Sequence, residues 1–416
     1  MNVSSKDLKY FFSGSAFLGV SSLYGLVIPV IIIPYLIKVI GLGNYGLSVV
    51  AFSTTFFLSL IIDYGYAISG VNSLSKSRTD SEKSAIIIKA LYTKAILFFS
   101  ISLLFLLLMT LIPYLRVHAT LFLLSLLIPF SSILNLNWAL QGLQLIKGLS
   151  FVTILNKTIY LFGIFFMIKN PEDYIYINFI FGAGILISGF ISLFLIKRKV
   201  NLRWVGFSFN ELLIEIEGSA HYFVSNISVY ISTSLYPIIL SLFATNEIVG
   251  VFAAVEKIYN VMRAPFSIYI NLMLPRISEM IEKSKHQAVR LIKKTYFFVV
   301  LFMLIALFLV WNFQQPIIAY FVEDYMVLST RLLHLALLGL VIVIFNCPVY
   351  LLLLAMDEKK AIMRTFLSIP LIGMLTCLLA AKFYGAEGVF YTVLFVELLY
   401  VISLQWLYYR IAKNTK

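Results

Sequence analysis

Charged residues are scarce in this 416-residue chain, and their scarcity excludes an ordinary soluble domain. Only 12% of the residues are charged, whereas 61% are hydrophobic. A soluble domain is typically about a quarter charged and about half apolar. Long polar stretches, which would leave room for a separate soluble domain, are also missing. The composition therefore predicts a polytopic membrane protein.

Cysteine and histidine are also rare, with two and four residues respectively. Both cysteines, Cys347 and Cys377, lie inside apolar runs, a setting typical of buried small hydrophobic residues. The four histidines are far apart in sequence, and zinc-protease, phosphate-loop and nucleophile-elbow motifs are absent. We therefore predict no metal site and no cofactor, and we expect a protein that is not an enzyme.

Acidic residues are fewer than basic ones, 19 against 32, and the formal net charge is +13. The basic residues are scattered between apolar runs rather than gathered in one patch. Such scattering is typical of topology signals and of contacts with lipid headgroups, not of a nucleic-acid surface. We expect membrane lipids, and no nucleic acid, as partners.

What is present is a series of long apolar runs. A membrane-spanning helix needs roughly 20 apolar residues, and counting such runs predicts about twelve spans. They are 11–38, 44–69, 86–112, 120–140, 148–168, 175–196, 220–243, 247–272, 295–313, 329–354, 364–382 and 386–408.

Twelve spans place both termini on the same side of the membrane. Of the 32 lysines and arginines, 23 fall on that side, five fall on the opposite side and four fall within spans. Because short cytoplasmic loops are enriched in basic residues, the sequence predicts cytoplasmic termini.

The chain also resembles two copies of one pattern. The run GSAFLGVSSLY begins at Gly14 and GSAHYFVSNIS begins at Gly218, and Pro34 and Pro237 follow at similar offsets. Parallel repeats of this kind are a transporter plan with the binding site between the halves. We predict six-helix bundles over 1–196 and 220–416, joined by an interfacial linker over 197–219.

The eighth predicted span carries charges that are costly inside a bilayer. Glu256, Asn260, Arg263 and Ser267 are spaced so that they share one helix face, with Lys257 beside them. Such a stripe must face other protein or a water-filled cavity. We expect Glu256 to pair with Lys257 or Arg263, and the cations to bind cargo.

Other predicted spans are polar on one side. The candidate cavity residues outside the eighth span are Asp63, Asn137, Gln141, Lys157 and Asn226. Lys94 and Glu397 are single charged intrusions. Cations slightly outnumber carboxylates in the predicted interior, which favours an anionic or phosphorylated cargo. Asp63 and Glu256 could instead respond to a proton or Na⁺ gradient.

Several stretches resemble a known family in the same order. They are IPYLIKVIGLGNYGLSVVAFS (33–53), DYGYAISGVNSLSK (63–76), NWALQG (137–142), VGVFAAVEKI (249–258) and LPRIS (274–278). Together they are similar to the polysaccharide-transporter branch of the multidrug/oligosaccharidyl-lipid/polysaccharide exporter superfamily, and most of all to the Wzx-type O-antigen flippases of Gram-negative bacteria.

This resemblance implies an all-α, multidrug-exporter-like transporter of the bacterial inner membrane, with two six-helix bundles forming a V around a cationic cavity. It implies movement of undecaprenyl-diphosphate-linked O-antigen repeat units from the cytoplasmic to the periplasmic leaflet, for lipopolysaccharide biosynthesis. The polymerase and chain-length proteins of that pathway would be further partners. The family motifs fall on Asp63, Tyr64 and Gly65, on Asn137, Trp138, Gln141 and Gly142, and on Glu256, Pro275 and Arg276.

Two alternatives stay open. A drug/cation antiporter of a sister family would share the fold but would need an acidic cavity, whereas this interior is slightly basic. A membrane polysaccharide polymerase or ligase would need a large periplasmic loop with basic groups, and the longest candidate, around 313–328, holds only Glu323 and Asp324 as charged residues.

Overall fold

The computed structural model describes residues 5–204, 206, 208–356 and 358–414, and this part of the chain is mostly α-helical. The side chains of residues 5–18 and of several later positions, Ser225 and Asn226 among them, lie outside that description. The α-helices are α1 (Ser5–Asp63), α2 (Tyr66–Lys76), α3 (Asp80–Leu111), α4 (Pro113–Val117), α5 (Ala119–Ser125), α6 (Leu127–Ser132), α7 (Asn137–Gly142), α8 (Ile146–Met167), α9 (Ile177–Lys197), α10 (Phe209–Ser234), α11 (Tyr236–Ser241), α12 (Asn246–Lys283), α13 (Lys285–Asn312), α14 (Gln314–Phe321), α15 (Met326–Ala355) and α16 (Lys359–Asn414). A 3₁₀ helix covers Pro171–Tyr176.

The two longest helices are each interrupted by one glycine. The 59 residues of α1 would reach about 88 Å if straight, far more than the roughly 30 Å of a hydrocarbon core. Gly41, with φ 78°, breaks the helical backbone of α1, and Gly385, with φ 56°, does the same in the 56-residue α16. Positive φ is a conformation that glycine adopts without steric cost. Each long helix therefore accommodates two of the predicted spans.

An all-α polytopic membrane protein is confirmed. Eight helical stretches are long and apolar enough to cross a membrane, and two of them, Leu23–Lys76 and Ile362–Ile411, each reach across two predicted spans. The predicted spans outside these eight, 220–243 and 247–272, lie on α10, α11 and α12, where polar residues lower the hydropathy. The count of twelve stays a prediction.

The described residues form two compact units, Met1–Tyr230 and Ile231–Lys416. The core of the first unit includes Tyr66, Ile87, Trp138 and Ile196. A cluster in the second unit joins Leu353, Ile362, Leu404 and Leu407. The predicted boundaries at 196 and 220 stay predictions.

Large apolar side chains lie on the outside of the helices as well as in the cores. Phe99, Leu111, Phe166, Phe308 and Phe383 are all at least two-thirds exposed. A hydrocarbon solvent removes the cost of exposing such side chains. Cys347 and Cys377 are buried, as predicted from their apolar runs.

The segment that leads into α10 is held against α3. The backbone N–H of Arg203 donates to Ser84 Oγ at 2.7 Å, and Lys89 Nζ lies 2.9 Å from Glu211 Oε1. The hydrogen bond from Lys89 holds the pKa of Glu211 below its usual range. Ser208 and Glu211 also bond to each other's backbone N–H groups, a capping box that fixes where α10 begins.

Candidate functional site

The first unit contains an ion pair at the end of α1. Asp63 is the last residue of α1, and Tyr64 (φ 45°) and Gly65 (φ 82°) then turn the chain into α2. Lys94 Nζ on α3 lies 2.6 Å from Asp63 Oδ1. The other carboxylate oxygen, Oδ2, accepts the backbone N–H of Ala67 at 3.2 Å. Asp63 thus holds Lys94 and the first turn of α2 together.

Aromatic rings enclose the Lys94 ammonium. Its Nζ lies 5.7 Å from the ring centroid of Tyr66 and 5.9 Å from that of Trp138, distances at which a cation is attracted to a ring face. Trp138 can approach because residue 70 is glycine: a Cβ there would lie 2.4 Å from the indole ring. The DYGY and NWALQG stretches therefore meet around one buried cation.

Two predicted members of this site do not contact the pair. Asn137 is half-buried and Gln141 is exposed. Neither side chain is hydrogen-bonded to Asp63 or Lys94 in the part of the chain that the structure describes. In that stretch Trp138 makes the contact, because its indole reaches between α2 and α3 whereas Gln141 lies on the exposed side of the short helix α7.

The second unit contains an ion pair between α12 and α16. Arg263 Nη2 lies 2.7 Å from Glu397 Oε1. The side-chain amide of Asn346 also donates to Glu397. Asn346 Nδ2 lies 3.3 Å from Glu397 Oε2 and 3.3 Å from the backbone oxygen of Glu397. The guanidinium stands 5.9 Å from the ring centroid of Tyr259. The Glu397 side chain is only 4% exposed, whereas the Arg263 side chain is 41% exposed.

Of the two cations expected beside Glu256, Arg263 is not its partner. Glu256 and Arg263 are seven residues apart, which is about 10 Å along a helix axis, too far for a direct contact on the same face. Arg263 instead reaches Glu397 on a different helix. Glu256 is half-buried on α12, and it forms no ion pair with any side chain described for this chain, although Lys257 lies close enough to interact with it electrostatically.

The predicted polar stripe of α12 is the more accessible side of that helix. Asn260 and Ser267 are exposed, and Glu256 and Arg263 are half-buried. Phe252, Val255 and Phe266, which flank the stripe on the same helix, are buried. Lys257 is half-buried and lies beside the stripe. The stripe could therefore receive a ligand without disturbing the packed side of α12.

The remaining predicted residues lie elsewhere. Lys157 is half-buried on α8 and rests against α1, where a Cβ at Gly25 would lie 2.4 Å from its Nζ. The side chain of Asn226 lies outside the described part of the chain. The structure therefore does not bring Lys157 to either ion pair, and Asn226 stays a prediction.

Sequence reasoning missed Lys94 and Glu397 as site residues. Both are charges inside apolar runs, which was the available signal, but their partners lie 31 and 134 positions away. Asn346 and Tyr259 carried less signal, because a single amide or phenol in a span is common. Tyr259 Oη and Asn346 Oδ1 are buried without a hydrogen-bond partner among the described residues.

The sequence matches a family model described as "Polysaccharide biosynthesis protein" over residues 11–281. Two curated proteins, each named "Putative O-antigen transporter", are similar to it. The protein from Shigella dysenteriae is 23% identical over 377 residues, covering 90% of this chain and 94% of the relative. The protein from Escherichia coli (strain K12) is 24% identical over 269 residues, covering 64% and 65%.

Solved transporter structures share the fold. An inward-closed structure of the lipid II flippase MurJ has a TM-score of 0.71 and 15% identity, covering 95% of this chain and 87% of that one. An inward-facing multidrug resistance transporter of the MATE family, in the MOP superfamily, has a TM-score of 0.69 and 14% identity, covering 94% and 95%. At these identities the likeness shows the fold alone.

Proposed function

Because this chain belongs to the polysaccharide biosynthesis protein family, we propose that it flips an undecaprenyl-diphosphate-linked O-antigen repeat unit from the cytoplasmic to the periplasmic leaflet of the bacterial inner membrane. The relatives named as O-antigen transporters and the fold shared with a lipid flippase support a polysaccharide transporter rather than an enzyme. The lipid-linked substrate, the direction and an alternating-access mechanism belong to the proposal.

The observation that carries the proposal is the accessible guanidinium of Arg263. Glu397 occupies one edge of it at 2.7 Å, yet 41% of the side chain stays exposed. A guanidinium has five N–H donors, and those on its exposed side would donate to phosphate oxygens. Arginine binds phosphate in a two-pronged geometry that lysine cannot reproduce.

Glu397 and Lys257 complete the proposed diphosphate site. The buried carboxylate of Glu397 lowers the cost of keeping a cation within the membrane when no cargo is bound. Lys257 is half-buried nearly two turns before Arg263 on the same helix, so it would serve the second phosphate or an acidic sugar. The lipid tail of the cargo can remain in the bilayer while its charged head follows this polar path.

We propose that transport is coupled to an ion gradient through a carboxylate that solvent can reach. Asp63 is 22% exposed while its partner Lys94 is 1% exposed. A proton or a Na⁺ ion could therefore compete with Lys94 for Asp63 from the open side. We expect transport into vesicles to slow when both the proton and the sodium gradients are collapsed; unchanged transport would remove this part of the proposal.

A drug/cation antiporter remains the second candidate, because the fold is shared with a multidrug transporter. The accessible member of the Arg263–Glu397 pair is the cation, which repels cationic drugs. Increased resistance to cationic dyes in cells that overproduce the protein, with unchanged surface polysaccharide in cells that lack it, would favour this alternative.

The test is complementation of a strain that lacks this gene. We expect the unchanged protein to restore surface polysaccharide, Arg263→Lys to restore it in part, and Arg263→Ala and Lys257→Ala to fail at normal protein levels. Arg331→Ala is the matched control, since Arg331 pairs with Glu387 at 3.4 Å but is 67% exposed and distant in sequence from α12. Full restoration by both alanine variants would overturn the proposed site.

Membrane orientation is tested separately. The excess of basic residues predicts that reporters fused after Lys199 or Lys285 report the cytoplasm and that a reporter near Glu172 reports the periplasm. A periplasmic signal at Lys285 would contradict the predicted twelve-span topology.

A further inference from the structure

A cavity of about 400 Å³ lies in the first unit, between α2 and α10. Its size falls within the roughly 300–1,000 Å³ range of small-molecule sites. Exposed residues at its rim, among them Asn72, Ser73 and Gly218, leave it open to the surface. Its lining residues all belong to the first unit, whereas Arg263, Lys257 and Glu397 belong to the second.

Hydrogen bonds between the two helices form the inner wall of this cavity. Tyr66 Oη donates to Glu215 Oε2 at 3.1 Å, and Ser219 Oγ donates to Ser69 Oγ at 3.2 Å. The ion pair between Lys89 and Glu211, one turn before Glu215, holds the start of α10 in place. The cavity is thus built by fixed elements rather than by a loose surface loop.

Small residues keep the space open. At Gly218 an added Cβ would meet nothing within 4 Å, so the absent side chain of this residue leaves room on the α10 side. A larger residue there would project into open space rather than into the packed core. Because Gly218 lines the cavity, a larger residue there can be introduced at the cavity rim without displacing packed neighbours.

The lining offers a dense mixture of hydrogen-bond donors and acceptors. It contains the hydroxyls of Tyr66, Ser69, Ser73 and Ser219, the amide of Asn72 and the carboxylate of Glu215. Hydroxyls and amides both donate and accept, whereas a carboxylate accepts strongly. A ligand that matches this lining must itself carry several groups that donate and accept.

Diphosphate does not match this lining. Glu215 would repel it, and Lys76, the cation among the described lining residues, is exposed. A sugar ring presents several hydroxyls on a rigid frame, and its apolar face could pack against an aromatic residue such as Tyr222, which is also in the lining. We propose that this cavity binds one sugar ring of an oligosaccharide.

The position of the cavity suggests when the sugar would bind. The basic residues of 76–83 and 197–203 flank α2 and lead into α10, and the excess of such residues assigns this side to the cytoplasm. The inference deepens the proposed function and rests on it: the cavity would hold a sugar of the lipid-linked unit before translocation. Tyr66, which lines the cavity, also stands over the Lys94 ammonium.

The test is saturation-transfer NMR on the full chain in lipid nanodiscs, because maltoside detergents would themselves supply a sugar. The probes are the methyl glycosides of hexoses, 6-deoxyhexoses and N-acetylhexosamines, with glycerol 1-phosphate as a lipid-headgroup probe. We expect at least one glycoside to bind. We expect Gly218→Ala to retain binding, Gly218→Trp to abolish it, and Glu215→Gln to weaken it about tenfold, as for one lost charge-assisted hydrogen bond.

Asn72→Trp, at the exposed rim, provides a second way to fill the cavity if Gly218→Trp does not fold. The inference is overturned if no glycoside binds or if only glycerol 1-phosphate binds. It is also overturned if every tryptophan variant that folds binds the glycoside as well as the unchanged protein does. Arg263→Ala should leave this binding intact. Glycoside binding reports on the cavity alone, and restoration of surface polysaccharide reports on the proposed function. The failure of one proposal is therefore distinguishable from the failure of the other.

Discussion

The two ion pairs of the candidate site have nearly the same length and opposite exposure. Lys94 and Asp63 in the first unit are 2.6 Å apart, and Arg263 and Glu397 in the second unit are 2.7 Å apart. In the first pair the cation is 1% exposed and the carboxylate 22% exposed, whereas in the second the cation is 41% exposed and the carboxylate 4% exposed.

The difference teaches which charge each unit offers to a ligand. The rings of Tyr66 and Trp138 enclose Lys94, so that only the carboxylate of that pair can be reached. Asn346 holds Glu397 from behind, so that the guanidinium of the other pair can be reached. Each pair consists of one acidic and one basic side chain, yet the first pair is suited to binding a small cation and the second to binding an anion.

Removing the carboxylates should give the largest difference in stability. Asp63→Asn leaves Lys94 charged and enclosed, and breaking a buried pair in this way costs about 3–5 kcal/mol. Glu397→Gln leaves Arg263 partly accessible, since its side chain is already 41% exposed, and we expect a smaller loss. Thermal unfolding of the two purified variants measures the difference in Tm.

The double variant Asp63→Asn/Lys94→Met is the control for this experiment, since it removes both charges and should recover most of the lost Tm. Equal drops in Tm for Asp63→Asn and Glu397→Gln would mean that exposure does not distinguish the two pairs.

Removing the cations should reverse the order, with a smaller effect. Arg263→Ala leaves Glu397 buried without its cation, whereas Lys94→Met leaves Asp63 partly in contact with solvent. We therefore expect Arg263→Ala to lower the Tm more than Lys94→Met, and Arg263→Ala/Glu397→Gln to recover much of the loss. A lower Tm for Lys94→Met than for Arg263→Ala would contradict the comparison.

A steric variant should have the smallest of these effects. Gly70→Ala would place a Cβ 2.4 Å from the Trp138 ring, and overpacking of this kind costs about 1–3 kcal/mol. Gly218→Ala is its matched control, because nothing lies within 4 Å of the added atom and alanine favours a helix. A Tm for Gly70→Ala equal to that of Gly218→Ala would mean that Trp138 is not fixed against α2.

The fold class was predictable because a bilayer imposes simple rules on sequence. Long apolar runs marked the helices, and the scarcity of charge excluded a soluble domain. The breaks at Gly41 and Gly385 carried weaker signals, since many glycines in the chain stay helical. The polarity of α12 was visible in sequence, but the same polarity keeps that helix outside the eight stretches that are apolar enough to span.

The site was predictable only in part because pairing depends on tertiary contact. Arg263 was identified from its cost in a membrane, yet Glu256, the carboxylate nearest in sequence, is not its partner. Helix geometry limits a direct partner to three or four positions away, which already argued against Glu256. Glu397 is the partner of Arg263 because of how α12 packs against α16. The sequence pattern of either helix alone does not reveal this packing.

The most direct test of the account is whether Arg263 binds diphosphate. Binding of a polyprenyl diphosphate should be measured on the full chain in nanodiscs, with the matching monophosphate as a reference and Arg263→Ala/Glu397→Gln as the variant that keeps the fold without a stranded charge. The account predicts that the unchanged protein prefers the diphosphate and that the double variant binds it at least about tenfold more weakly. Undiminished diphosphate binding by the double variant would contradict it.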